Sequence, residues 1–460
     1  MEKYDAIIIG SGQGGMPLAR ALAKAGWKTA MIEQKHVGGT CINEGCTPTK
    51  TMVASAEAVY MARRAKNFGV QAGNVSVNMQ AIYQRKQDIV NSFRNGDERR
   101  LINDGVQLIW GRASFIGPKS IEVSLNNGGE PLQMTAETIV INTGGRSRPI
   151  KLDGLEQIPY LDSTSILDLT ELPDHLLIIG GSYVALEFGQ MFRRFGSQVT
   201  IIQRSGCLLG REDVDVAEAV LGIIRDDGIQ VLLNAETRQV ERDSAGKIHL
   251  KVTNPEGDHN LVCSHLLLAA GRIPNSDRLN LPAAGIETDP QGYIRTNERL
   301  ETNVPGVYAI GDVKGGPAFT HISYDDFRIL KKNLLEKGNA SILGRMIPYT
   351  MFIDPQLGRI GMIETDARKQ FLNLKVAKIP MSYIARALET DQARGFIKAL
   401  VDMDTQQIVG GAVLGADGGE IMAMIQIAML GKLPYTVLRD ATFAHPTFSE
   451  GLNTLFADLP

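Results

Sequence analysis

The sequence predicts an α/β fold: two copies of one parallel-sheet unit, then a C-terminal α+β domain. Three observations predict it. An offset of 170 residues superimposes two strand-turn-helix-strand units, and a repeat of this kind is a stronger guide to architecture than local detail. Each copy passes from strand to helix through a run of small residues that begins with glycine, and each second strand ends on a polar residue. From about residue 346 the alternation gives way to strand-rich segments, Phe396 to Val401 and Ile408 to Leu414, followed by helices at about 418 to 431.

The first unit opens with the strand Ala6-Ile7-Ile8-Ile9, turns through Gly10-Ser11-Gly12-Gln13-Gly14-Gly15, continues as a helix to Ala25 and Gly26, and returns on a strand ending at Ile32-Glu33. In such a turn the first glycine permits the tight bend, the second lets backbone amides approach a pyrophosphate, and the third lets helix and strand pack closely. The helix N-terminus adds partial positive charge. A glycine-rich turn alone fits any tight bend in an alternating sheet. Here the strand before, the helix after and Glu33, placed to accept from an adenosine ribose, agree on a Rossmann-like nucleotide site at Gly10, Gly12, Gly14, Gly15 and Glu33.

The second unit runs Leu176-Leu177-Ile178-Ile179, Gly180-Gly181-Ser182-Tyr183-Val184-Ala185, a helix to Phe195 and Gly196, and a strand ending at Ile201-Ile202-Gln203. It departs at Ser182, where the middle glycine is expected, and at Gln203, where an acid is expected. A carboxylate at 203 would repel a 2′-phosphate. Neutral Gln203, followed by Arg204 and with Arg211 nearby, removes that repulsion and offers guanidinium donors, which favours NADPH over NADH. The plainer reading of Arg204 and Arg211 is exposed loop charge.

Between the two units, Cys41 and Cys46 stand in the run Gly38-Gly39-Thr40-Cys41-Ile42-Asn43-Glu44-Gly45-Cys46-Thr47-Pro48-Thr49-Lys50. No further Cys or His pair follows at zinc-site spacing, so redox chemistry is favoured over a structural metal, and no metal site is expected. Only four cysteines occur, at 41, 46, 207 and 263. That suits a reducing compartment, and Cys207 and Cys263 read as incidental packing residues. The first strand pattern begins at Tyr4, too early for a cleavable signal segment, and the most apolar late stretch, Ile421 to Leu430, is too short to span a bilayer, so a cytoplasmic protein without membrane contact is expected. A net charge of -3 with only short, scattered basic clusters excludes nucleic acid as a partner.

These motifs together resemble the flavin-dependent pyridine nucleotide-disulfide oxidoreductases, the family of glutathione reductase, dihydrolipoamide dehydrogenase and mercuric reductase, over nearly the whole chain. Gly38 to Lys50, with Gly39 and Thr40, resembles the redox-disulfide segment beside the flavin. Thr143-Gly144-Gly145 resembles the turn that leaves the FAD domain, and Gly271-Arg272-Ile273-Pro274-Asn275 the strand end that leaves the NAD(P) domain. The stretch from Thr302 to Gly311-Asp312 resembles the second FAD motif, and Ala444-His445-Pro446-Thr447-Phe448-Ser449-Glu450 the C-terminal acid-base motif.

The resemblance implies FAD and a pyridine nucleotide as cofactors. It implies an FAD domain at about 1–149 and 271–345, an NAD(P) domain at 150–270 and a dimerisation domain at 346–460. Cys46 would lie against the isoalloxazine and Cys41 would face the substrate, with Asp312 at the ribityl or phosphate end of the flavin. His445, oriented by Glu450, would exchange a proton with the thiol of the other subunit, which implies a homodimer. Lys50 and Glu187 would pair near flavin N5, and Tyr183 would cover the nicotinamide pocket, a buried core tyrosine being the plainer reading.

Several stretches resemble the mercuric reductase branch: Gly181 to Glu187, Arg204 to Asp213, Asp354-Pro355-Gln356 and Arg394 to Lys398. No cysteine follows Cys263, so the C-terminal pair that delivers mercury in that branch is missing. Phe319 to Ile329 and Leu433 to Asp440 resemble a related bacterial flavoprotein of reactive-chlorine resistance that reduces Cu(II). The implied acceptor is a small molecule or soft metal ion, Cu(II) or Hg(II), with dihydrolipoamide dehydrogenase as the main enzymatic rival. A non-catalytic flavin or NAD(P) sensor is the reading from another class, and intact Cys41, Cys46, His445 and Glu450 argue against it.

Overall fold

The computed structural model describes residues 1–460. The chain divides into two compact units, one of residues 1–51, 81–149 and 270–345, the other of residues 52–80, 150–269 and 346–460.

In the first unit the strands Gln107–Gly117, Thr29–Glu33, Glu2–Ile9, Leu132–Ile141 and Val307–Ala309 lie side by side, and the pairings that define this order are parallel. The second half of Gln107–Gly117 turns antiparallel against Ser120–Leu125, which hands the chain back to Leu132–Ile141. Strands covered on both faces read as continuous apolar runs, and Ala6 to Ile9 and Ile139 to Ile141 are all buried. Ile8 and Val140 pack on the helix side with Leu18 and Leu22 of the Gly15–Lys24 helix, while Ile7 and Ile139 pack on the other face.

The second unit repeats the plan. Its parallel sheet has the order His265–Leu268, His175–Ile179, Gln198–Ile202, Gln230–Leu232. In both copies the first strand sits between its own second strand and a late-returning one, and an antiparallel excursion, here Glu236–Arg242, Ile248–Asn254 and Gly257–Cys263, fills the interval. The 170-residue offset is therefore structural: Gly10 and Gly180 occupy the same bend, at φ +98° and +121°. A Cβ at Gly10 would lie 2.4 Å from the Asn142 carbonyl, and at Gly180 2.4 Å from that of Ala269, so only glycine fits either place.

The same unit holds an antiparallel five-stranded sheet, in the order Tyr349–Met351, Gln356–Gly361, Gln407–Gly415, Phe396–Asp402, Leu374–Pro380. The Gly418–Leu430 helix packs on it through Ile421, Met422 and Ile425. Lys398, 2% exposed, reaches Asp213, Asp215 and Glu364 at 2.8–3.1 Å. The buried ammonium thus pairs with carboxylates of the segment after Gln203 and of the Glu364–Gln370 helix.

Candidate active site

The first glycine turn is built by close approaches. Gly14 lies against Ser323 and Ile310, and a Cβ there would sit 2.6 Å from the Ser323 carbonyl. Gly15 lies against Gly10 and Ile8, the helix-on-strand packing expected of the third glycine. No side chain caps the Gly14 position; Asn142 Oδ1 accepts from the Gly15 amide at 2.9 Å. Glu33 is buried at the end of its strand, its carboxylate accepting from the Ser11 amide at 3.1 Å, the Ser11 hydroxyl at 2.6 Å and the Lys35 amide at 2.9 Å. Three of about four acceptor positions are filled, which leaves one for an incoming hydroxyl.

Ser11 also ties this turn to the thiol segment. Its hydroxyl accepts from the Gly38 amide at 3.2 Å, and a Cβ on Gly39 would lie 2.7 Å from Gly12 Cα. The thiol segment therefore starts directly on the glycine turn. Gly39–Asn43 forms one short helical stretch, whose Thr40 carbonyl accepts from the Glu44 amide at 2.9 Å, and the chain then bends at Gly45 into the Cys46–Arg64 helix, with Pro48 in its first turn.

Both sulfurs are thiols here. Cys41 titrates well above the ordinary thiol range, first because it shares a hydrogen bond with Cys46, then through burial and the charge Cys46 carries, while Thr320 and Lys50 pull the other way. The Cys46 sulfur shares a hydrogen bond with Thr320 Oγ1 at 3.3 Å, in the first turn of the Thr320–Leu335 helix, whose N-terminus favours an anion.

The two crossover motifs meet as a ribbon. Gly145–Ser147 pairs antiparallel with Arg272–Pro274, the Asn275 amide donates to the Gly144 carbonyl at 2.9 Å, the Thr143 hydroxyl donates to the Asn275 carbonyl at 3.0 Å, and Arg148 donates to the Gly271 carbonyl at 2.9 Å. Asp312 lies beside this ribbon, 3.9 Å from where a Gly145 Cβ would be. Burial pushes its carboxyl above the ordinary range, opposed by Arg272 and Lys314. Gly311, at φ +69°, donates its amide to the fully buried Asp326 at 2.9 Å.

In the second unit, Ser182 precedes the Tyr183–Phe195 helix without a capping side-chain bond. Tyr183 is 38% exposed, which removes the core-tyrosine reading. Gln203 packs across Gly181 and donates to Ser205 and to the Cys207 carbonyl, while Arg204 and Arg211 are exposed and make no ion pair within the chain. Glu187 is buried and accepts from the Phe352 amide at 2.8 Å. Cys207 is exposed and so is no packing residue, whereas Cys263 is buried, with its thiol pushed up to about 12 by burial. His445 Nδ1 lies 2.8 Å from Glu450 Oε2, with the imidazole 70% exposed. A carboxylate can only accept there, so Nδ1 carries the proton and Nε2 is open.

Comparison with known proteins decides the family. The model of the pyridine nucleotide-disulphide oxidoreductases matches residues 4–326, and that of the dimerisation domain of the same family matches residues 347–456. The chain belongs to the pyridine nucleotide-disulphide oxidoreductases. Among its relatives is the probable pyridine nucleotide-disulfide oxidoreductase RclA of Escherichia coli K12, 40% identical over 99% of both chains. A mercuric reductase of Bacillus cereus is 32% identical over 98% of this chain and 70% of its own length. A dihydrolipoyl dehydrogenase of Chlamydia trachomatis is 31% identical over 98% of this chain and 95% of its own. The solved structure of the Cu(II) complex of the HOCl-induced flavoprotein disulfide reductase RclA from Escherichia coli superimposes with a TM-score of 0.91 at 38% identity, covering 100% of both chains.

The family is FAD-dependent and uses a pyridine nucleotide, and the first unit fits a flavin dinucleotide. The Gly12 position, where any side chain would strike Asn142 at 2.7 Å, keeps the turn bare, and buried Glu33 retains an acceptor for a ribose. Four residues of this region, Ser11, Asn142, Thr320 and Asp326, carry site contacts that the motifs did not assign to them. A polar residue directly after the apolar strand end Ile139-Val140-Ile141, as Asn142 is, is the one signal the sequence offered.

Proposed function

We propose that the chain works as a homodimer that carries electrons from NADPH, through FAD, to the Cys41–Cys46 pair and on to a thiol-reactive acceptor, a soft metal ion such as Cu(II) or Hg(II). The observation that carries this reading is the pair itself: two hydrogen-bonded sulfurs, one against a helix N-terminus, on a segment seated on the nucleotide turn. Bound flavin supplies the step from hydride to electron pair.

The protein's own residues do the rest. The Thr320 hydroxyl, the helix N-terminus and Lys50 favour negative charge at the pair, while the hydrogen bond to Cys46 and burial hold the Cys41 proton until a base removes it. His445 is that base, taking the proton at Nε2 while Glu450 holds Nδ1–H. By family likeness it serves the thiols of the other subunit. Oxidation of the dithiol to the disulfide releases two electrons and two protons, enough for two Cu(II) to become Cu(I) or one Hg(II) to become Hg(0). Thiolates are soft ligands suited to both ions, and the relative RclA has been solved as a Cu(II) complex.

NADPH is favoured because Arg204 and Arg211 stand exposed beside neutral Gln203. Replacing both arginines by alanine should raise KM for NADPH about 10- to 100-fold, the loss of charge-assisted hydrogen bonds, and leave NADH nearly unchanged. The acceptor is tested with purified protein, NADPH and a panel of Cu(II), Hg(II), lipoamide and glutathione disulfide. Turnover of lipoamide far above that of either metal would replace the metal reading with that of a dihydrolipoamide dehydrogenase.

A further inference from the structure

We infer that Asn142 is a positioning residue for the flavin site, its side-chain amide pinning the pyrophosphate turn and the Gly311-Asp312 turn to each other. The inference rests on the flavin reading of the first unit. Asn142 follows the apolar strand end Ile139-Val140-Ile141 and is 5% exposed. Its Oδ1 accepts from the Gly15 amide at 2.9 Å and its Nδ2 donates to the Ile310 carbonyl at 3.1 Å. Those partners fix the amide's orientation, since one is a donor only and the other an acceptor only.

Glycines of both motifs make close approaches to this group. A Cβ at Gly12 would lie 2.7 Å from Oδ1, one at Gly15 2.8 Å from Oδ1, and one at Gly311 3.0 Å from Nδ2. At Gly12 the three nearest atoms all belong to this amide. The bare turn thus makes room for Asn142 as well as for a phosphate.

The second unit supplies an internal control. Gly10 packs on the Asn142 carbonyl and Gly180 on that of Ala269, so Ala269 holds the equivalent place and has no amide to offer. The fold can make this bend without the staple. The staple occurs where a second motif, Gly311-Asp312, must be kept in register with the turn, and its effect is preorganisation: the glycine turn and the Asp312 carboxyl are held at a fixed separation before flavin arrives.

The test is FAD binding to the flavin-stripped full chain, followed by flavin fluorescence, for the wild type, Asn142→Ala and Asn142→Asp. Asn142→Ala should bind FAD about 10- to 100-fold more weakly, the effect of two lost hydrogen bonds. Asn142→Asp carries the sharper readout. A neutral carboxylic acid can accept from Gly15 and donate to Ile310 as the amide does; a carboxylate cannot donate and repels the diphosphate. Its affinity should therefore stand near wild type at about pH 5 and fall steeply towards about pH 8, because burial raises the pKa of the acid, while Asn142→Ala follows the wild-type pH profile at a constant offset. If Asn142→Ala does not fold, the pH profile of Asn142→Asp decides alone. Wild-type affinity in Asn142→Ala, or a wild-type pH profile in Asn142→Asp, overturns the inference. Failure of the wild type itself to bind FAD would overturn the flavin reading instead.

Discussion

Four cysteines sit in four different surroundings, and their reactivities should sort accordingly. Cys207 is exposed on a loop, Cys263 is buried with its thiol pushed up to about 12, and Cys41 and Cys46 share a hydrogen bond. A thiol reagent applied to the oxidised native protein should find one accessible thiol; after anaerobic reduction by NADPH it should find three, with Cys41 the slowest of them, and only denaturation should release the fourth. Three accessible thiols before reduction would contradict the disulfide. At this scale the sequence displayed what proximity in the chain can display: Cys41 and Cys46 five positions apart, and His445 with Glu450 five positions on. It hid Thr320, 274 positions from Cys46, and Asn142, 127 positions from Gly15 and 168 from Ile310. A hydrogen bond closed across such a span leaves no periodicity to read.

In the proposed cycle the two strand-turn-helix elements divide the work between flavin and nicotinamide nucleotide, which makes their first glycines a matched pair of probes. Alanine at Gly10 or Gly180 must adopt positive φ, at a cost of about 1–2 kcal/mol, and must also press a carbonyl 2.4 Å away. Gly10→Ala should yield protein with little bound FAD. Gly180→Ala should keep its FAD and raise KM for the nucleotide at least about tenfold. The opposite assignment, flavin lost from Gly180→Ala alone, would exchange the roles of the two units. Both elements were legible because glycine spacing and apolar runs are local signals. The ribbon joining Gly145–Ser147 to Arg272–Pro274 was visible only as two separate motifs, since no local pattern states that they pair.

Across the whole molecule, the decisive proposal is that a complete site needs two chains. The dimerisation-domain match at residues 347–456 and the exposed His445 support it. If His445 of one subunit serves the thiols of the other, Cys41→Ser and His445→Ala should each be inactive alone. Subunits of the two variants, mixed and allowed to exchange, should recover about one quarter of wild-type activity, because half the dimers are mixed and each mixed dimer holds one intact site. No recovery after demonstrated exchange would place each His445 with the thiols of its own chain. The alternation of parallel units and the switch to an antiparallel sheet near residue 346 gave the architecture in outline, and the repeat carried most of it. The ring of carboxylates on Lys398 was not foreseeable, because Asp213, Asp215 and Glu364 converge only when the C-terminal sheet is folded.

The electron path is tested most directly by anaerobic titration of the flavin-loaded protein with NADPH, followed by absorbance. One equivalent should produce a long-wavelength charge-transfer band while the flavin remains oxidised, and Cys46→Ser should lack the band whereas Cys41→Ser should show it without reduction. Direct bleaching of the flavin by the first equivalent in the wild type, with no such band, would contradict a relay through Cys46.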